Sequence, residues 1–148
     1  MRRTEKEGCM KGNRWLAALF IAVALPLSAA ACGMGERTPA GYENATLTHA
    51  HDHWQQGANA PIPFLFLDVR TPEEYAAGHI PGAKLIPLPE LPHRLNEVPK
   101  DRQVYVYCHS GKRSARAATL LGGQGFTNIE NVVGGIVAWQ GAGYPVEK

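Results

Sequence analysis

The chain has 148 residues, enough to bury one core and too few for two comfortable domains. Fifteen Lys and Arg against 13 Asp and Glu give a formal charge of +2, but five of those basic and two of those acidic side chains lie within residues 1–31. Residues 32–148 carry ten basic and eleven acidic side chains, so the pI of about 8.5 reflects the N-terminus and a basic face for nucleic acid is excluded.

Arg2, Arg3, Lys6, Lys11 and Arg14 form a basic start, followed by an apolar run of 13 residues from Trp15 to Leu27 and then Ser28-Ala29-Ala30-Ala31. This is the three-part pattern of a secretory signal peptide, expected over residues 1–31. The apolar run contains Pro26 and is short against the ~20 residues needed to cross a bilayer. Arg2-Arg3 is continued by Thr4-Glu5-Lys6-Glu7, which does not extend a twin-arginine signal. Cys32, directly after small residues, resembles the lipobox cysteine of bacterial lipoproteins, although Ala29 stands where such sites usually carry leucine. That resemblance implies acylation of Cys32 and a lipid anchor to a bacterial membrane on the periplasmic side; simple cleavage near Ala31 is the alternative. Residues 32–42 are rich in Gly with a Pro, show no periodicity and read as a flexible tether.

From residue 43 to 148 short apolar runs alternate with helix-like stretches. Strands are expected at Ala45–Leu47, Phe64–Asp68, Lys84–Ile86, Val104–Tyr107 and Ile129–Val133, and helices at Thr48–Gln56, Pro72–Ala77, Leu88–Asn96, Ser114–Leu121 and Ile136–Gln140. The second and fourth strands are apolar on both faces, as strands covered by helices on both sides are. The alternation predicts a doubly wound α/β domain with a mostly parallel five-stranded sheet flanked by helices. Thr71-Pro72-Glu73-Glu74 reads as a capping box with proline at the first helical position. Gly78 is expected to end that helix in the left-handed conformation, and Gly122 or Gly123 the next.

The run Cys108-His109-Ser110-Gly111-Lys112-Arg113-Ser114 sits between the fourth strand and a helix. A helix start offers free N–H groups and the positive end of the macrodipole, and both favour an anion. Lys112 and Arg113 add positive charge. A thiol there should ionise below the free value of about 8.5. Cys9 falls in the signal and Cys32 at the acylation site, which leaves Cys108 without a disulfide partner and suits it to reactivity. In sheets of this class chemistry gathers at the carboxyl ends of strands, where Cys108 and Asp68-Val69-Arg70 both fall.

Three segments together resemble the single-domain rhodanese family of sulfurtransferases. They are Leu67-Asp68-Val69-Arg70-Thr71-Pro72-Glu73-Glu74-Tyr75 running on to Gly78-His79-Ile80-Pro81-Gly82-Ala83, the loop from Cys108 to Ser114, and Gly125-Phe126 through Val133-Gly134-Gly135-Ile136-Val137-Ala138-Trp139 to Tyr144-Pro145-Val146. The resemblance covers about residues 43–146. It implies a nucleophile at Cys108, a substrate loop formed by His109, Ser110, Gly111, Lys112, Arg113 and Ser114, and supporting roles for Asp68, Arg70 and Glu74. The implied reaction moves a sulfane sulfur from a small anionic donor such as thiosulfate, through a Cys108 persulfide, to a thiol or cyanide acceptor that can be a protein, with no cofactor and no metal. Four residues separate Cys108 from Arg113, whereas related phosphatases place five there. The shorter ring suits a sulfur rather than a phosphate. A persulfide carrier or docking module is the main alternative, and a phosphatase the weaker one.

Other residues carry competing readings. Glu74 either caps Thr71 or orients Arg113. Asp68 and Arg70 either reach the loop or pair beneath it. His109 is expected to shape the pocket entrance rather than act as a base, His79 to fix a turn and Trp139 to fill core. His49, His51 and His53 read as exposed polar residues rather than a metal site.

Overall fold

The computed structural model describes residues 37–57 and 64–148. The expected signal peptide, Cys32 and the start of the tether lie outside the described residues. Five strands and four helices follow in order: β1 (Glu43–Ala45), α1 (Leu47–Gly57), β2 (Phe64–Asp68), α2 (Pro72–Ala77), β3 (Lys84–Leu85), β4 (Gln103–Tyr107), α3 (Lys112–Gly123), β5 (Ile129–Val132) and α4 (Gly135–Gly141). All strand pairs are parallel, in the order β1-β5-β4-β2-β3. The α/β architecture is the one the alternating pattern predicts.

Side-chain alternation along the central strands divides the core into two layers. On one face Leu67 and Val69 meet Val104, Val106 and Cys108 under Ala117, Ala118 and Leu121 of α3. On the other, Phe64 and Phe66 meet Tyr105, Tyr107 and Val132 against Ile136 and Trp139 of α4 and Ala50 of α1. Leu121 is fully buried, and truncation of such a residue to alanine costs about 2–5 kcal/mol. Both layers are apolar because both faces carry helices. The winding reverses between β2 and β4, which puts the loops after these two strands side by side.

Several expectations are corrected. Leu88–Asn96 does not form a helix; two single 3₁₀ turns, Leu91–His93 and Leu95–Glu97, replace it. Pro89 and Pro92 each remove a backbone donor, and a proline ring collides with the preceding turn. Leu47 opens α1 rather than closing β1. Gly78 follows α2 with φ 155° and ψ 134°, outside the left-handed helical region. Gly122 and Gly123 remain inside α3, and the left-handed residue is Gly125 at φ 81°. Gly122 serves a different purpose: a methyl there would overlap the Ala40 carbonyl oxygen. That approach belongs to an ordered turn within the stretch expected to be a tether. Thr38 donates its N–H and its hydroxyl to the Tyr42 carbonyl at 2.7 and 2.9 Å, and Tyr42 packs on the core.

Candidate active site

Strand β4, paired on both sides, ends at Tyr107 and delivers Cys108 to the mouth of the β2–β4 junction. The chain then turns through Gly111, whose φ of 94° places it in the left-handed region, and enters α3 at Lys112. That φ favours glycine, and the Cβ of any other residue at position 111 would also stand in a tight 3.2 Å contact with the Gly134 nitrogen. This geometry folds the loop around the sulfur. Gly111 N–H donates to Cys108 Sγ at 3.2 Å, and Ser114 Oγ lies 3.5 Å from it.

Cys108 is 1 % exposed. Burial opposes ionisation, but hydrogen bonds from the Ser114 hydroxyl and from the N–H groups of Ser114, Ser110 and Gly111 outweigh it, and the thiol is held below its ordinary pKa. The site therefore has the property expected of Cys108 from its position before a helix. His109, Ser110 and Lys112 are exposed along the rim, and Arg113 is half-buried.

Arg113 makes a two-pronged bond to Glu74, Nη1 to Oε2 and Nη2 to Oε1, each 2.7 Å. Glu74 Oε2 also accepts from the Thr71 N–H at 3.1 Å while Glu74 N–H donates to Thr71 Oγ1 at 3.3 Å. The two readings of Glu74 are thus both realised: one carboxylate closes the α2 capping box and orients the arginine beside the sulfur. The Arg113 bonds, ahead of the opposing effect of burial, pull Glu74 down to about 2.

Asp68 and Arg70 form a buried pair rather than reaching the 108–114 loop. Arg70 Nε lies 3.0 Å from each Asp68 carboxylate oxygen, and Nη2 donates to Oδ2 at 2.6 Å and to the Gly78 carbonyl at 2.8 Å. The pair ties the end of β2 to the end of α2, which carries Glu74. Arg70 also lines, with Glu74, Gly78, His109, Ile136 and Gln140, an open pocket of about 280 Å³ beside the loop.

Two supports had no site role assigned from the sequence. The first is the Gly134-Gly135 pair at the start of α4. Ile136 and Val137 donate N–H bonds to the carbonyls of Cys108 and His109 at 2.9 and 3.2 Å, holding the loop from behind. Any side chain at Gly135 would overlap those carbonyls, and its φ of 58° is left-handed. A Gly-Gly pair at a strand-to-helix junction was the available signal. The second is Asn131, 5 % exposed on β5, which bonds Ser114 Oγ at 2.7 Å. A polar residue in the otherwise apolar end of that strand marks it.

The remaining candidates have structural partners. His79 stacks on Tyr75 with ring centres 3.6 Å apart and forms an isolated bridge with Glu147, fixing its turn. Trp139 is fully buried and donates to the Pro145 carbonyl at 2.7 Å. His49, His51 and His53 are half-buried rather than exposed. His49 meets the Tyr105 hydroxyl and Glu130, and His51 stacks on Tyr144 at 3.6 Å. Among the described residues, no three His, Cys, Asp or Glu side chains converge as metal ligands would.

A cysteine ringed by amides at the winding reversal of a parallel sheet, backed by a glycine pair, defines a class, and the comparisons agree with it. The Rhodanese-like domain model matches residues 46–142, and the chain belongs to that family. A "Sulfurtransferase" from Allochromatium vinosum is 46 % identical over 82 residues, 55 % of this chain and 77 % of that protein. A "Putative sulfur carrier protein" from Bacillus subtilis is 48 % identical over 75 residues, 51 % of this chain and 40 % of that protein. Among solved structures, a Rhodopseudomonas palustris protein of unknown function, described as a possible tyrosine phosphatase, superposes with a TM-score of 0.65 at 29 % identity, covering 72 % of this chain and 85 % of that one.

Proposed function

We propose that this protein is a sulfurtransferase that carries a sulfane sulfur on Cys108. The observation that carries the reading is the sulfur itself, buried yet surrounded by loop donors that favour its anion. The Cys108 thiolate attacks the outer sulfur of thiosulfate; the donor's S–S bond breaks, sulfite leaves with the electron pair, and a persulfide anion remains. An acceptor thiolate or cyanide then attacks the terminal sulfur, and Cys108 departs as the thiolate. This is covalent, two-stage catalysis. The loop N–H groups stabilise the charge at each stage, and removing one such donor typically costs about 2.7–4 kcal/mol of barrier.

Arg113, fixed by Glu74, supplies the full positive charge nearest the anionic donor, with Lys112 exposed beside it. Export and acylation at Cys32 complete the proposal, placing the domain on the periplasmic side of a membrane as a lipid-anchored protein. Thiosulfate treatment of the full chain followed by peptide mass spectrometry should add one sulfur atom at Cys108. Absence of that mass in the wild type overturns the reading. Ready loading with slow turnover to cyanide would favour a carrier, as the name of the Bacillus relative suggests for that protein. Turnover of an aryl phosphate would favour a phosphatase, a chemistry the four-residue spacing from Cys108 to Arg113 disfavours.

A further inference from the structure

Ser114 is fully buried, and three acceptors surround its one hydroxyl hydrogen: Asn131 Oδ1 at 2.7 Å, the Gly111 carbonyl at 3.1 Å and Cys108 Sγ at 3.5 Å. A hydroxyl donates once and accepts twice. In the arrangement described, the hydrogen goes to Asn131, whose own amide nitrogen donates to Asn44 Oδ1 at 3.0 Å. Asn44 and Asn131 are direct register partners on β1 and β5, so backbone pairing sets their spacing. Half-turns of the two carboxamides reverse the whole series. Asn44 then donates to Asn131 Oδ1, Asn131 donates to Ser114 Oγ, and the hydroxyl hydrogen is free for the sulfur. The first sense suits a neutral thiol, whose S–H can donate to Ser114 Oγ; the second suits an anion.

We propose that Asn131, oriented by Asn44, is a positioning residue that turns the Ser114 hydroxyl toward Cys108 whenever the sulfur is negatively charged. The role deepens the sulfur-transfer reading and rests on it for its place in catalysis: thiolate and persulfide are both anions and both call for the second sense. Neither asparagine belongs to the loop. Their contribution passes through Ser114 and reaches to the edge strand of the sheet.

Asn44→Asp tests this from the far end. An aspartate only accepts, so Asn131 must donate to it, keep its oxygen on Ser114 and hold the hydroxyl hydrogen away from the sulfur. The measurement is the pH dependence of Cys108 alkylation by iodoacetamide in the full chain, resolved by peptide mass spectrometry so that Cys9 and Cys32 do not contribute. The ionisable groups around the sulfur include His109, Lys112, Arg113 with Glu74, Tyr107, the Asp68–Arg70 pair and Glu130, and all are unchanged. In the wild-type background the midpoint should rise by about one pH unit, the worth of a hydrogen bond to a charged group. In the Ser114→Ala background the same substitution should leave the midpoint where Ser114→Ala alone puts it. An equal rise in both backgrounds, the plain field of an added charge, overturns the proposal, as does no rise in either. Asn131→Asp enters the series at its middle and gives the same readouts if the edge strand does not tolerate the first change. Because alkylation needs no sulfur donor, the coupling is read independently of whether thiosulfate loads Cys108.

Discussion

Replacing Glu74 by glutamine removes one negative charge from the pair that aims Arg113, while preserving the shape of the side chain. In the folded protein Glu74 is held from 4.5 down to about 2. At about 1.36 kcal/mol per pKa unit that depression corresponds to roughly 3.4 kcal/mol. The side chains of Glu74 and Arg113 are 32 % and 35 % exposed, so solvent screening reduces the contribution to about 1–1.5 kcal/mol. A carboxylate whose folded pKa lies below its unfolded one stabilises the protein above the unfolded value and loses that stabilisation as pH falls through the folded value. The window is therefore pH 4.5 to 2. Urea midpoints of wild type and Glu74→Gln, measured across pH, should differ by the full amount above that window and converge at its lower end. Comparing the two chains cancels Glu97, which is also held at about 2 but by Arg94 and Lys84. A difference that stays constant through the window would refute the account, since both the Arg113 pair and the Thr71 capping bond depend on the charge of the carboxylate. The same variant should load sulfur more slowly, because Arg113 loses the partner that fixes it beside the Cys108 loop.

Cys108→Ser should abolish the added sulfur mass altogether, whatever donor is used. Gly135→Ala must displace the carbonyls of Cys108 and His109 and place a side chain at left-handed φ; a loss of more than about 2 kcal/mol in urea unfolding is expected, together with loss of sulfur loading. Alkylation of wild-type Cys108 should reach half its maximal rate below the free thiol value of about 8.5, and Ser114→Ala should move that midpoint upward. A wild-type midpoint at or above about 8.5 would mean that burial outweighs the loop donors.

The fold was legible wherever one layer of information sufficed. Strands β2 and β4 announce themselves because both faces are covered, and α2 because Thr71, Pro72 and Glu74 write a helix start into four residues. The 88–96 stretch misled because its leucines suggest a helix while Pro89 and Pro92 forbid one, and a missing N–H outweighs a favourable apolar pattern. At the site, Cys108 was legible from its neighbours in sequence. The pairing of Asp68 with Arg70 and the double duty of Glu74 were legible only as alternatives, since which carboxylate meets which cation depends on the packing of α2 against α3. Asn131 and Gly135 stayed hidden for a related reason. Their partners, Ser114 on one side and the Cys108 and His109 carbonyls on the other, lie on a different strand-helix unit, and single-chain patterns carry no information about that juxtaposition.

The site balances two opposed demands on one sulfur. Burial at 1 % exposure shields the thiol and would by itself keep it neutral. Nucleophilic attack requires the anion, which the loop favours through the Gly111 N–H, set by its left-handed turn, and through Ser114, carried on the first turn of α3, with the whole loop held by α4 from behind. In the proposed reaction thiolate and persulfide are both anions, so the same donors would serve both. The sulfur transferred in the proposed reaction would extend the side chain by one S–S bond, about 2.05 Å, so that the reactive atom would stand farther out than the one that captured it. Capture in that reaction would favour donors small enough to reach a buried atom, and delivery would take place nearer the rim formed by His109, Ser110 and Lys112.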